Sequence, residues 1–150
     1  MVYRFRMISN EVKNFVRDIE ICSTQNFFDL HKTIQDNLNY DCTLIASFFT
    51  TNENWEKEQE FTLFEMTDDE RFSTIPMDKA ELKEFIKNPK QRILYIFDFF
   101  NERAFFLELM SSADKLPCTG YPRITYSKGI PPKQILIDIY YPDSNFFDEE

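Results

Sequence analysis

The sequence predicts an α+β protein with a mixed or antiparallel sheet, a β-grasp-like arrangement and two helices. Three observations lead to this prediction. Apolar and polar residues alternate along 2–8 and 15–21, as in half-buried strands. Apolar residues recur every three or four positions along 25–38, which indicates a long amphipathic helix. A run rich in β-forming residues at 43–50 then completes the order strand, strand, helix, strand.

The first two strands are predicted to form a hairpin, because Ser9 and Asn10 supply turn residues between them. The helix is expected to start at a cap provided by Ser23 or Thr24. Its buried face is expected to carry Phe27, Leu30, His31, Ile34 and Leu38.

A polar loop separates this unit from a fourth strand predicted at 60–66. Asp78, with Glu81 three residues later, has the spacing of a capping box and predicts a short helix over 78–87. This helix is expected to end before Pro89, because proline cannot continue a helix.

The strongest hairpin signal lies at 92–109, where two apolar runs flank a short polar turn. We expect a Pro- and Gly-containing loop at 110–133 and a last strand at 134–141. With no internal repeat or linker, residues 1–141 are predicted to form a single domain, followed by an acidic tail at 142–150.

The composition predicts a folded cytoplasmic protein. Apolar residues make up 43% of the 150 positions, too many for a disordered chain. No apolar run approaches the roughly 20 residues that span a bilayer, so we expect no membrane association. The first residues lack the apolar core of a signal peptide, which favours the cytoplasm.

The cysteines and the single histidine argue against a metal site. Cys22, Cys42 and Cys118 are widely spaced and form no CxxC pair, so we expect three reduced thiols. A structural zinc site needs about four ligands at close spacing, and His31 is the only histidine. We therefore predict no metal.

The net charge and the glycine content argue against nucleic-acid binding and against nucleotide binding. The net charge is −9, and the densest basic stretch, 83–92, is interleaved with glutamates, so we predict no nucleic-acid partner. Gly120 and Gly129 are the only glycines, which is too few for the loops that cradle nucleotide phosphates. We predict no cofactor.

Several motifs resemble the Ri-plasmid ORF-three-like family, whose members are also described as TnpR-like passenger proteins of insertion elements. The resemblance spans about residues 2–134. It rests on Leu30-His31-x-x-Ile34-Gln35 in the helix, Asp98-Phe99 in the hairpin, Tyr121-Pro122-Arg123, Gly129 and Pro131-Pro132. The chain is a divergent member, because several polar positions of the family pattern, including its loop cysteines, have no counterpart. Arg103 stands where the family has a tryptophan.

The resemblance implies a fold but no reaction, because the family has no secure biochemical activity. The TnpR label suggests a resolvase. A serine recombinase needs a nucleophilic serine beside several arginines, and no serine of this chain has such a setting. We treat that label as nomenclature.

Four residues are candidates for a binding site: Asp98, Arg123, Tyr121 and His31. Asp98 ends a strongly apolar strand and must find hydrogen-bond donors, which the following turn can supply. His31 is either a structural helix residue or the only available general base. No catalytic residue is assigned.

Two functions of different classes remain open at this point. The first is a non-enzymatic module that binds a protein partner or another copy of itself. The second is a small-ligand-binding or hydrolytic enzyme with a pocket around Asp98 and Arg123. Convergence of Asp98, Arg123 and His31 in one pocket would favour the second.

Overall fold

A computed structural model describes residues 1–64, 73–114 and 118–136, which contain one eight-stranded sheet and few helices. The strands are β1 (Val2–Ser9), β2 (Val16–Cys22), β3 (Ser47–Thr51), β4 (Lys57–Thr62), β5 (Thr74–Pro76), β6 (Arg92–Asp98), β7 (Arg103–Ala113) and β8 (Arg123–Lys128). The helices are α1 (Phe27–Leu38) and the single turn α2 (Leu82–Phe85), which follows a 3-10 turn at Met77–Lys79.

The strand order is β5-β4-β3-β6-β7-β1-β2-β8. Every neighbouring pair is antiparallel except β4 and β5, so parallel pairing occurs only at one edge. The sheet is therefore mixed, as the sequence predicted. The β-grasp-like arrangement is not confirmed, because the one parallel pair described, β4 and β5, lies at an edge of the sheet and not in its centre.

The alternation in the sequence sets the two faces of the sheet. In β1, Phe5 and Met7 are buried on the face that carries α1, while Arg4 and Arg6 point to the opposite face. The two arginines bind the buried carboxylate of Asp18 there, with nitrogen to oxygen distances of 2.8–3.0 Å. Hydrogen bonding to Arg6 holds the pKa of Asp18 below its usual range.

Helix α1 begins at a capping box that differs from the predicted cap. The side chain of Asn26 accepts a hydrogen bond from the backbone of Asp29 at 2.9 Å, and Asp29 accepts one from the backbone of Asn26. Asn39 ends the helix in the left-handed conformation. Ser23 and Thr24 do not cap it, because the chain makes another turn before the helix starts.

The core lies between α1 and the sheet and is dominated by aromatic rings. Phe27 stacks on Phe61 with 4.1 Å between ring centroids and also contacts Phe48. Phe105, near the start of β7, stacks on Phe15 and Phe97. The face of α1 that carries Phe27, Leu30 and Ile34 is buried in this core, as the 3.6-residue period predicted.

The region 78–87 differs from the predicted helix. Only Leu82–Phe85 is α-helical, and Glu81, at its N-cap, makes no side-chain cap hydrogen bond, while Asp78 lies in the preceding 3-10 turn. The backbone of Leu82 instead donates to Gln25 in the loop before α1. Tertiary pairing has replaced the local cap that the spacing suggested.

The connection after the hairpin also differs from prediction. Residues 110–133 were expected to be a loop, but β7 extends to Ala113, and Arg123–Lys128 forms β8 against β2. The expectation of three reduced thiols is wrong, because a disulfide joins Cys22 to Cys118 and only Cys42 is free.

Two other sequence predictions reach beyond the described residues. The fourth strand ends at Thr62, and 65–66 lie outside the described part. Of the predicted last strand, 134–136 is described and is not a strand, while 137–141 and the tail at 142–150 lie outside.

Two glycines provide a matched test of packing against β8. Both have positive φ, but a Cβ at Gly129 would lie 2.6 Å from the Asn14 carbonyl oxygen, whereas one at Gly120 would meet nothing within 4 Å. We expect Gly129→Ala to lower the free energy of unfolding by about 2–4 kcal/mol and Gly120→Ala by about 1 kcal/mol. Urea denaturation measures both, and equal losses would contradict the close approach.

Candidate functional site

The buried guanidinium of Arg103 gathers several chain segments at one end of the sheet. It donates to both carboxylate oxygens of Glu11 at 2.9–3.1 Å and to Asp98 at 3.3 Å. It also donates to the backbone carbonyls of Lys133 at 2.5 Å and Gln134 at 3.0 Å. The β1–β2 turn, the β6–β7 turn and the segment after β8 therefore meet at one cation.

The charge of Arg103 is maintained despite its burial. Burial lowers the pKa of this guanidinium, but hydrogen bonds and charge from Glu11, with a smaller contribution from Asp98, raise the pKa above its usual value. The guanidinium also lies over the ring of Phe97, 4.7 Å from its centroid. Such an arginine is a fixed structural cation.

Asp98 is the only predicted site residue at this end of the sheet, and its carboxylate is fully engaged. It accepts hydrogen bonds from the backbone of Asn101 at 3.2 Å and from the Asn101 side chain at 2.9 Å, besides the one from Arg103. Burial alone would raise the pKa of Asp98, but these bonds outweigh it and lower the pKa. The turn supplies the donors that the sequence predicted.

The segment 132–136 is anchored before it reaches the site. The hydroxyl of Tyr40 donates to the carbonyl of Pro132. The amide of Gln134 pairs with the backbone of Asp41, accepting from its N–H at 2.6 Å and donating to its carbonyl at 3.0 Å. Together with the two hydrogen bonds from Arg103, these contacts fix the position of the segment that follows β8.

An open apolar groove of about 740 Å³ lies beside this anchor. Phe100, at the tip of the β6–β7 turn, is 94% exposed, and Phe99 next to it is 41% exposed. We call the apolar residues that line the groove from three connections the turn patch: Leu44, Ile45, Phe99, Phe100, Ile135 and Leu136. Asp98 and Asn101 also line the groove.

His31 does not line the groove. It lies on the buried face of α1, inside the core. Its Nδ1 is 2.6 Å from the hydroxyl of Tyr95, which also accepts from the amide nitrogen of Gln35 at 2.5 Å. With Gln35 donating, the Tyr95 proton goes to His31 Nδ1, which places the imidazole proton on Nε2. No group of the described residues lies within hydrogen-bonding distance of that buried nitrogen, although the backbone of Cys42 is near enough to oppose the lowering of the His31 pKa. Burial lowers the pKa of His31 to about 4, so the ring is neutral at pH 7.

Arg123 and Tyr121 lie at the opposite edge of the sheet. Arg123 starts β8, binds Glu20 of β2 at 2.9 Å and lies over the ring of Tyr121 at 4.5 Å. Three strands separate β8 from β6. The structure therefore does not bring Asp98, Arg123 and His31 into one pocket. The segment that carries Arg123 pairs with β2 and not with the 92–109 hairpin.

The turn patch was missed at the sequence level, although one signal was present. Phe99 and Phe100 directly follow Asp98 in a turn, where no strand pleat can bury two consecutive rings. The contribution of Leu44 and Ile135 could not be read from the sequence, because the two residues are 91 positions apart. Their connections meet through hydrogen bonds of Tyr40 with Pro132 and of Gln134 with Asp41.

In residues 1–64, 73–114 and 118–136, no three side chains of His, Cys, Asp or Glu come together to hold a metal ion. None of the helices described in these ranges is long and apolar enough to cross a membrane.

Comparison with known proteins relates almost all of the described chain to one family. The family model for plasmid pRiA4b ORF-3-like protein matches residues 2–136. The chain is similar to the crystal structure of MM3350, a protein of unknown function from Methanosarcina mazei Go1, with a TM-score of 0.68 and 20% sequence identity over 84% of this chain and 68% of that one. This likeness concerns the fold alone. No curated protein matches the chain.

Burial of His31 predicts a defined loss of stability in acid. The folded-state pKa of about 4 lies below the ordinary value of 6.5, so the unfolded chain binds a proton that the fold excludes between these values. We expect the free energy of unfolding to fall by about 3 kcal/mol as the pH drops from 6.5 to 4, with no further loss from this group below.

Denaturation across this pH range, compared with His31→Gln, isolates the effect, because the chain has no other histidine. Asp18 and Asp98 have lowered pKa values, so their stabilisation is lost only as the pH falls below the ordinary carboxyl value of 3.8. Equal pH slopes for wild type and His31→Gln between 6.5 and 4 would rule out the assignment.

A structural role for Asp98 predicts unequal effects of two substitutions. Asp98→Asn weakens the bonds of a half-buried carboxylate to Arg103 and Asn101, so we expect it to lower stability by about 1–3 kcal/mol. Arg123→Ala removes a half-exposed ion pair with Glu20, for which we expect less than about 1 kcal/mol. Thermal and urea unfolding report both values, and a larger effect at Arg123 would contradict this assignment.

Proposed function

The chain belongs to the plasmid pRiA4b ORF-3-like family, and from this premise we propose that it is a protein-interaction module that binds a partner protein through the turn patch. One observation carries the proposal: an almost fully exposed Phe100 stands beside Phe99 on an open apolar groove. Contiguous exposed apolar surface around a groove is typical of binding sites on soluble proteins.

The chemistry of the groove describes the partner surface that would fit it. Three polar residues line it. Asp98 and Asn101 are hydrogen-bonded to each other, and Asp98 also to Arg103. The third, Gln134, is paired with the backbone of Asp41, so the three offer little charge to a ligand. Aromatic side chains are favoured anchors because they bury a large area at small entropic cost. A partner that inserts an apolar side chain between Phe99, Phe100 and Ile135 matches this surface.

The groove is also placed on a rigid support. Arg103 fixes the β6–β7 turn to Glu11 and to the carbonyls of Lys133 and Gln134. A preorganised surface loses less conformational entropy when a partner binds. This supports recognition of a defined partner rather than unspecific adhesion.

The enzyme alternative has weaker support. Asp98 does line the groove, as that hypothesis requires, but its lowered pKa and its three donors suit a structural carboxylate. Arg123 lies at the far edge of the sheet, and His31 is neutral and enclosed by the core. These positions supply no group within reach of Asp98 for acid–base chemistry.

Substitution of Phe100 tests the proposal directly. In affinity capture from native host cells, we expect a stoichiometric partner with wild type and with Met110→Asp, and none with Phe100→Asp. Loss of a central aromatic anchor costs about 2 kcal/mol, or roughly 30-fold in Kd. Met110 is a suitable control because it is 43% exposed at the other end of β7.

Two further measurements make the comparison decisive. The melting temperatures of both variants should match wild type, because neither side chain is buried. Analytical ultracentrifugation of wild type and Phe100→Asp separates a foreign partner from self-association. Capture that survives Phe100→Asp, or that is lost equally with Met110→Asp, would refute the turn patch as the binding surface.

A further inference from the structure

We infer that Arg4 and Arg6 form a binding site for a phosphate monoester on the face of the sheet opposite α1. The site is a recess of about 350 Å³ between three neighbouring strands, β1, β2 and β8. Its lining residues are Arg4, Arg6, Asp18, Glu20, Thr125 and Tyr126. None of these residues lines the groove of the turn patch, so this site is separate from the one in the proposed function.

Two arginines share one buried carboxylate in this recess. The side chain of Asp18 is only 2% exposed, although α1 lies on the other side of the sheet. Arg6 binds both oxygens of Asp18, through Nε at 2.8 Å and Nη2 at 3.0 Å. Arg4 adds a third bond, from its Nη2 at 2.9 Å. Arg6 alone neutralises Asp18 in the bidentate geometry that suits a carboxylate, so the charge of Arg4 is additional.

The recess retains hydrogen-bond donors for a ligand. Among the described residues, no acceptor pairs with Nε or Nη1 of Arg4, with Nη1 of Arg6 or with the hydroxyl of Tyr126. The side chains of Arg4 and Arg6 are 41% and 40% exposed, and Tyr126 is 47% exposed. The buried Asp18 thus holds the two guanidinium groups in place while part of each stays open to solvent.

An irregularity in β8 helps to form the recess. Asp18 is opposite Tyr126 and Ile19 is opposite Ile124, so Thr125 is an additional residue without a partner in β2. Successive side chains of a regular strand point to opposite faces, but Thr125 and Tyr126 both line the recess. Bulges of this kind re-aim side chains and are common beside functional sites. The hydroxyl of Tyr126 is thereby placed on the same side as the two arginines.

The local charge favours an anion. Among the described residues of this region, Arg4, Arg6 and Arg123 face two carboxylates, those of Asp18 and Glu20. Glu20 is bound to Arg123 at 2.9 Å, and Asp18 is bound to Arg6, so one positive charge remains. Hydrogen bonding to Arg6 also holds the pKa of Asp18 below its usual range, which keeps its carboxylate ionised. This positive surface contrasts with the net charge of −9 of the chain.

The arrangement of the donors favours a phosphate over a carboxylate. A carboxylate has two oxygens in one plane and is matched by a single guanidinium, as Asp18 is by Arg6. The remaining donors come from β1 and β8, which lie on either side of β2, so they surround a ligand rather than face one plane. Three phosphate oxygens accept such bonds, and arginine is the residue best suited to supply them. The ester group belongs either to a small molecule or to a phosphorylated side chain.

Titration of the full chain with three probes tests the site. The probes are glycerol 3-phosphate, a five-residue phosphoserine peptide and acetate, and binding is followed by two-dimensional ¹H–¹⁵N NMR. We expect saturable binding of a phosphate probe, with shifts concentrated at the recess, and none of acetate. The phosphate probe with the lower Kd identifies the source of the ligand.

Two variants that remove the same charge provide the matched comparison. Arg4→Gln should weaken phosphate binding at least about tenfold, because it removes charge-assisted hydrogen bonds while Arg6 still pairs with Asp18. Lys128→Gln should weaken it less than about threefold, because this exposed lysine of β8 does not line the recess. Arg4→Lys keeps the charge without the planar fork, and we expect it to lose most of the affinity that Arg4→Gln loses.

Several results would overturn the inference. These are no saturable binding of either phosphate probe up to about 10 mM, shifts centred outside the recess, equal weakening by Arg4→Gln and Lys128→Gln, or full affinity in Arg4→Lys. Melting temperatures show whether each variant is folded. Should Arg4→Gln not fold, Tyr126→Phe removes only an exposed hydroxyl, and unchanged affinity in this variant would equally contradict the site.

Discussion

A single buried cation, the guanidinium of Arg103, determines how one end of this sheet is built. Burying a charge is costly unless it is paired and hydrogen-bonded, and here the guanidinium donates to Glu11, Asp98 and two backbone carbonyls. Because these acceptors come from three separate connections, the cation is satisfied only when all three are in place. The turn patch depends on that constraint, because Arg103 joins the β6–β7 turn to the segment after β8, which Tyr40 and Asp41 also anchor.

Much of the fold could be predicted because its elements bury one side and expose the other. Local spacing in the sequence indicates which side chains are buried. It does so through the alternation in β1 and β2, the helical period of α1 and the apolar runs of β6 and β7. The same reasoning placed Asp98 correctly, because a carboxylate at the end of an apolar strand must find donors in the following turn.

The features that the sequence did not predict, strand β8, the role of Arg103 and the disulfide, have a different physical origin. Strand β8 carries almost only exposed side chains, so no alternation marks it, and what holds it is backbone pairing with β2. Arg103 looked like an ordinary charged residue, since all of its acceptors except Asp98 are distant in the sequence, Glu11 by 92 positions and Gln134 by 31. The disulfide of Cys22 and Cys118 joins residues 96 positions apart, a proximity that only the arrangement of β2 and β8 creates. Contacts of long sequence separation leave no mark on local spacing.

The two margins of the described sheet also bear on whether another molecule could extend it with its own strands. The terminal strand at one margin, β5, has three residues and ends in Pro76, which lacks an N–H to offer a neighbour. At the other margin, β8 is kinked by an irregularity opposite Asp18 and carries a cation at each end, Arg123 and Lys128. Such strands are poor templates for another molecule's backbone, so edge-to-edge polymerisation into fibrils is suppressed at both margins of the described sheet.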